Sequence, residues 1–187
     1  MAGDPRRFEA LAQFIAERFP RPGTQTVLDV GGSMGILCYH LARLGYEVTV
    51  VDPRRRDVKR HYRKLARRGG FHMRMHYVQR VLLPEDDADL LVGLHPDEAT
   101  EWVVRQAVRR GRAFVVVPCC VMPLDGVRRS VEEWHQYLCA LAAGTHAVRV
   151  ERLPISGANI VIWAPAPDKK FAPADKPYLG QGVFSHG

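Results

Sequence analysis

Two hydrophobic rhythms alternate along this chain. Short, nearly unbroken apolar runs at 27–30, 46–51, 88–94 and 113–117 are bounded by glycine, proline or charge, as buried parallel strands are. Around them apolar residues recur at helical spacing. Phe8, Leu11, Ala12, Ile15 and Phe19 form one such face between Pro5 and Pro20, and Leu37, Leu41 and Leu44 form a second, which Gly45 should stop. Val58, Tyr62 and Leu65 mark a helix over 54–68. Trp102, Val103 and Ala107 are the inward stripe of the next, behind a start rich in acids (Asp97, Glu98, Glu101). Val131, Trp134, Leu138 and Leu141 predict a helix over 127–143, with Gly144 as its stop. Residues 71–83 supply a third strand without clean alternation, and 147–153 and 158–164 two last strands joined at Ile155-Ser156-Gly157. The pattern predicts an α/β protein with a doubly wound, Rossmann-like sheet of seven strands, closed by a C-terminal antiparallel hairpin.

The same pattern divides the chain into an amphipathic helix at 1–22, a core at 23–164 and an arm at 165–187. The arm is rich in Pro and Gly, has no periodicity, and is expected to dock in extended form on a protein partner through anchors such as Phe171, Tyr178 and Phe184. At 187 residues and 47% hydrophobic, the chain has the size of one domain. It has no apolar run of 18 residues, so no membrane span is expected. The first twenty residues lack the apolar stretch of a secretory signal, and they mix Arg6, Arg7 and Arg18 with Asp4, Glu9 and Glu17, which an import presequence avoids. Four cysteines, two of them adjacent, make neither a disulfide framework nor a C-x-x-C zinc pattern; no metal ligand set is expected. They suit a reducing intracellular compartment, with cytoplasm and mitochondrial matrix both open.

Charge changes the picture at one place. Residues 54–68 carry nine Lys or Arg against one Asp, a net of +8, whereas the whole chain is +7. The helix there would have Arg54, Arg55 and Arg56 ahead of an Asp57 N-cap, followed by Lys59, Arg60, Arg63 and Lys64. Such a face suits the phosphates of a nucleic acid, and RNA is the expected partner. A solvated face or a dock for an acidic protein is the competing reading.

The candidate ligand site lies at 27–53. A buried strand runs through Asp29 into Gly31, Gly32, Ser33 and Gly35, a helix follows, and a second strand ends in Asp52. Glycines let a backbone turn sharply and approach a ligand, and an acid at the end of the second strand is placed for ribose hydroxyls. A dinucleotide fingerprint would need glycines at 33 and 36, where this chain has Ser33 and Ile36, so NAD is disfavoured. The pattern D-x-G-x-S-x-G from Asp29 to Gly35 resembles motif I of the class I S-adenosyl-L-methionine (SAM) methyltransferases, with Asp52 matching their ribose acid and Ser33 replacing the middle glycine. If position 33 needs positive φ, serine there costs about 1–2 kcal/mol. GLHPDEAT at 93–100, VVPCCVMP at 116–123 and DPRR at 52–55 look like an uncharacterised group of SAM methyltransferase-like proteins. More distantly they resemble RNA 2′-O-methylating enzymes with Cys-Cys-His after strand five; here Val121 follows Cys120.

The resemblance implies SAM as the cofactor, held by Asp29, Gly31, Gly32, Ser33, Gly35, Asp52 and Leu94, and a methyltransferase sheet whose closing hairpin sets it apart from other Rossmann folds. His95, held extended by Pro96, is a candidate base for a hydroxyl or amine; the alternative is a loop histidine bonded to backbone. Cys119 or Cys120 as thiolate is a candidate nucleophile toward a pyrimidine ring if its pKa is lowered; the alternative is packed thiols. No N-P-P-Y or D-P-P-Y follows strand four, which disfavours amino methylation. Two functions fit the sequence: a SAM-dependent methyltransferase acting on RNA or a component of an RNA–protein assembly, and a catalytically inactive methyltransferase fold kept as a structural subunit of a ribonucleoprotein or other large complex, a mitochondrial one included.

Overall fold

The apolar runs become strands β1 (Thr26–Val30), β2 (Glu47–Val51), β4 (Leu90–Leu94) and β5 (Ala113–Val117). A short β3 (Met75–Val78) and the last pair, β6 (Arg149–Arg152) and β7 (Ile160–Ala164), complete one seven-stranded sheet of order β3-β2-β1-β4-β5-β7-β6. The first five strands are parallel; β7 runs antiparallel to both β5 and β6. This is the expected doubly wound, Rossmann-like arrangement with its antiparallel close. In this computed structural model residues 4–54, 59–70 and 74–168 are described, apart from the side chains of Lys59 and His61. The arm from 169 onward lies outside the described residues, as do Arg55, Arg56, Asp57, Val58 and residues 71–73.

Side-chain alternation along the strands feeds two cores. Val27, Val48, Val50, Leu90, Val92, Val115 and Val117 face α1 (Arg7–Arg18) and α2 (Ile36–Arg43), whereas Leu28, Val30, Leu91, Phe114, Val116 and Ile162 face α4 (Thr100–Arg110) and α5 (Val131–Ala143). The leading helix is part of the first core. Leu11, Phe14, Ile15 and Phe19 are buried, and Phe14 and Phe19 meet the Trp163 ring of β7 edge-on at 5.9 and 5.5 Å. Four such side chains supply an upper bound of about 6–12 kcal/mol of burial, comparable with the 5–15 kcal/mol by which a whole domain is typically stable.

Several expected boundaries move. The third strand shrinks to four residues because it is a half-exposed sheet edge. The helix over 54–68 is described as α3 (Lys59–Arg68), and Arg54 precedes it. α5 starts at Val131 rather than 127, since Ser130 caps it: its hydroxyl accepts from the Glu133 N–H, and the Glu133 carboxylate accepts from the Ser130 N–H. Gly144 ends that helix in right-handed conformation. In α4 Val103 and Ala107 are fully buried as expected, but Trp102 is only half-buried and the charged Glu101 is fully buried beside them. The Glu101 carboxylate accepts from Arg105 Nε at 2.6 Å, Tyr137 Oη at 2.9 Å and the Leu124 N–H at 2.8 Å, tying α4 to α5 and to the segment between β5 and α5.

Candidate functional site

Strand register decides which loops meet at the carboxyl edge of the sheet. Val30 pairs with Val51, so the glycine turn after β1 leaves the sheet beside Asp52, and the Gly31 N–H donates to the Val51 carbonyl at 2.8 Å. Leu94 pairs with Val117, so His95-Pro96-Asp97 and Pro118-Cys119-Cys120 leave side by side, with the His95 N–H donating to the Val117 carbonyl at 3.0 Å. All the sequence-predicted cofactor residues except Leu94 fall in the first group; Leu94 is the buried last residue of β4.

In the glycine turn, Gly31 and Gly35 have φ of 68° and 69°, and Ser33 has φ of 45°. Position 33 therefore does require the left-handed region, and serine tolerates it at the cost expected above. The Ser33 N–H donates to Asp52 Oδ2 and the Arg54 N–H to Asp52 Oδ1, both at 2.8 Å. A carboxylate has about four acceptor sites, so each oxygen keeps one for a ligand hydroxyl. Asp29, 1% exposed, lies under the turn; a Cβ on Gly32 would run into its carboxylate. Neither Asp29 oxygen has a hydrogen-bond partner. Burial, and secondarily the Asp52 charge, push its pKa up to about 7.

The second group is joined to the first through Pro96. A Cβ on Gly93 would come within 2.8 Å of Pro96 Cγ, and one on Gly31 within 3.2 Å of Pro96 Cα and Cβ, so the proline is wedged where only glycines leave room. His95 is not extended, as a residue before proline usually is: its φ is 52°, and Asp97 has φ of 50°. The hydrogen bond to the Val117 carbonyl and the seating of Pro96 hold this turn. With Ser33, these are the positive-φ residues other than glycine among those described, and all lie at this edge of the sheet; strained backbone concentrates at functional sites. His95 Nε2 lies 3.1 Å from the Ala158 carbonyl, which only accepts, so Nε2 carries the proton and Nδ1 keeps the basic lone pair. Burial lowers the His95 pKa, favouring the neutral ring.

Cys119 Sγ donates to Asp97 Oδ1 at 3.1 Å and lies 3.5 Å from Cys120 Sγ. Burial first, then Asp97 and Cys120, push the Cys119 pKa up to about 12. The condition for a nucleophilic thiolate at Cys119 is thus not met; it is a thiol at neutral pH. Asp97 Oδ2 pairs with Arg54 Nη2 at 3.6 Å, so the first arginine of the basic segment reaches this mouth. Arg60, Arg63 and Lys64 are exposed on α3, which leans on α2 through Tyr39 and Tyr62, ring centroids 5.3 Å apart. The sequence marks Asp97 only as a helix-start acid. Nothing in the local pattern shows its contact with the cysteines, because the contact depends on register between strands and on a left-handed turn.

A family profile described as "Methyltransferase domain" matches residues 4–117, from just ahead of α1 to the end of β5. The chain belongs to the methyltransferase domain family. Among solved structures, an O-methyltransferase family protein of Burkholderia thailandensis matches with a TM-score of 0.60 at 16% identity, covering 88% of this chain and 57% of that one. A 1,6-didemethyltoxoflavin N1-methyltransferase from the same organism, solved with bound 1,6-didemethyltoxoflavin and S-adenosylhomocysteine, matches with a TM-score of 0.58 at 19% identity, covering 88% of this chain and 80% of that one. At such identities the likeness shows the fold. A Caenorhabditis briggsae protein named "Probable tRNA (uracil-O(2)-)-methyltransferase" is 29% identical over 105 residues, 53% of this chain. The chain spans 18% of that relative's length and 57% of the first structure's.

The cofactor that goes with this methyltransferase family is SAM, and the residues present fit it. The buried, unpartnered Asp29 carboxylate is suited to a cation such as an amino-acid ammonium. The left-handed turn at 31–35 keeps side chains off the approach, and Asp52 retains the acceptor capacity a ribose diol needs. When bound, SAM supplies an electrophilic methyl group on a sulfonium.

Proposed function

We propose that this methyltransferase-family protein transfers a methyl group from SAM to RNA. The observation that carries the RNA reading is the junction at Arg54: its N–H bonds the candidate ribose acid Asp52, its guanidinium pairs with Asp97 at the mouth, and the exposed cations of α3 follow it along the chain. A strand bound by its phosphates along α3 is thereby led to the carboxyl edge of β4 and β5, where ligands bind in such sheets. Partial similarity to a protein named as a tRNA methyltransferase supports the same reading. In this proposal Asp29 and the turn at 31–35 hold the amino-acid end of SAM, Asp52 its ribose, and neutral His95 takes the acceptor's proton through Nδ1.

The test has two arms. Incubating the protein with methyl-labelled SAM and total RNA should transfer label to RNA, and a His95→Ala variant should lose that transfer while binding SAM as before. In calorimetry, Asp52→Ala should weaken SAM binding roughly tenfold or more, since a charge-assisted hydrogen bond contributes about 1.5–3 kcal/mol. No heat from the native protein at millimolar SAM would overturn the cofactor assignment. That result would favour the second reading, a methyltransferase fold kept as a subunit of a larger complex, which the strained serine at position 33 of the motif supports.

A further inference from the structure

Asp97, Cys119 and Cys120 each offer one ligand atom, and the three atoms lie within 4.8 Å of one another at the open end of the β4–β5 pair. We propose that they form a zinc site with one position open to solvent. The geometry carries the proposal. With Zn–S near 2.3 Å and Zn–O near 2.0 Å, the edges of a tetrahedron are about 3.8 Å between sulfurs and about 3.5 Å between sulfur and oxygen. Here Cys119 Sγ and Cys120 Sγ are 3.5 Å apart, and Asp97 Oδ1 lies 3.1 and 3.7 Å from them. One triangular face of the polyhedron is therefore already close to size, without a ligand having to cross the site.

The surroundings agree with it. Two thiolates and a carboxylate bring three negative charges; zinc supplies two positive charges, and Arg54 supplies the third from 3.6 Å on the outer oxygen of Asp97. That ion pair leaves Oδ1 for the metal and fixes the plane of the carboxylate, as an outer partner of a metal ligand does. Behind the cysteines a cavity of about 230 Å³ is lined by Pro118, Trp134, His135, Ala158 and Asn159, which gives the fourth position room for a water or an oxygen donor of a substrate. Three protein ligands and an open position is the pattern of a catalytic rather than a structural zinc. Thiolate ligands select zinc over magnesium or calcium, which take oxygen donors. Binding replaces two S–H bonds with two S–Zn bonds and passes both protons to the buffer. The site does not depend on the methyl-transfer reading, because its test contains no SAM.

Full-length protein, reduced and stripped of metal, is titrated with cobalt(II) and then zinc. One equivalent of cobalt should give a thiolate-to-metal charge-transfer band with the visible bands of a tetrahedral ion, and one equivalent of zinc should abolish both. Cys119→Ser and Cys120→Ser should each weaken zinc binding at least a hundredfold and Asp97→Asn at least tenfold, whereas Cys139→Ser, on α5 outside the cluster, should leave it unchanged. Because the native spectrum reports sulfur ligation directly, the result does not hang on any variant folding. A reduced native protein that binds no cobalt, or binds it without a sulfur band, overturns the site. So does a Cys119→Ser/Cys120→Ser double variant that holds zinc as tightly as the native chain.

Discussion

Asp29 concentrates the physical conflict of the site. Its carboxylate is buried, lacks a hydrogen-bond donor and faces the charge of Asp52, which together raise its pKa from 3.8 to about 7. The folded state therefore holds this proton more firmly than the unfolded chain does. Its contribution to stability is fullest below about pH 4, falls as pH rises through the window up to 7, and is constant above it; the whole loss is about 4 kcal/mol. Asp29→Asn keeps the shape without the ionisation. Histidines whose pKa burial lowers, His40, His95 and His146 among them, gain stability over the same range, so the readout is the difference between the two proteins: Asp29→Asn should melt progressively further above the native protein as pH rises from 5 to 8, while its SAM affinity drops at least tenfold in calorimetry. A gap between the two melts that does not widen from pH 5 to 8 would contradict the buried, unpaired state of Asp29.

At the scale of elements, α3 separates fold from function. Ala66 is buried and Tyr62 meets Tyr39, but Arg60, Arg63, Lys64, Arg67 and Arg68 are exposed, so the helix rests on a narrow contact and presents charge. If four of the cations on this segment touch phosphates, the logarithm of RNA affinity should fall with the logarithm of salt at a slope near −3. Charge reversal at Arg60, Arg63 and Lys64 together should flatten that slope by about 2 without lowering the melting temperature; an unchanged slope places the RNA elsewhere. Elements of this molecule were legible in the sequence where burial is complete. β1, β2, β4 and β5 carry apolar residues on both faces because helices cover both, and their runs show it. β3 was blurred because an edge strand needs little apolar character, and the capping box of α5 was written as S-x-x-E at Ser130–Glu133 but not read. Within the site, the glycine turn stands out because positive φ favours glycine at 31 and 35, and Asp29 and Asp52 because each is an acid set in or just after an otherwise apolar strand run. The meeting of Asp97 with Cys119, the burial of Glu101 and the left-handed His95 do not, since each is fixed by a neighbour distant in sequence.

For the molecule as a whole, the leading helix belongs to the same body as the sheet. Trp163 of β7 receives Phe14 and Phe19 on its ring, and its Nε1 donates to Glu151, which also pairs with Arg18 at 2.8 Å; the first and last described elements thus close on each other. Removing residues 1–22 should leave a chain without a cooperative thermal transition, whereas a detachable appendage would leave the melt in place. The wedge of Pro96 between Gly31 and Gly93 has a comparable reach across the mouth. Because one ring seats both the glycine turn after β1 and the segment bearing His95 and Asp97, whatever steadies one side also steadies the other. Each of two molecules arriving on opposite sides of Pro96 should then find part of its ordering cost already met by the other, and by thermodynamic necessity the gain is the same factor in either order of addition. SAM affinity measured with and without saturating RNA, and RNA affinity measured with and without saturating SAM, should therefore rise by one shared factor. Replacing Gly93 with Ala, which pushes the proline off its seat, should bring that factor towards one.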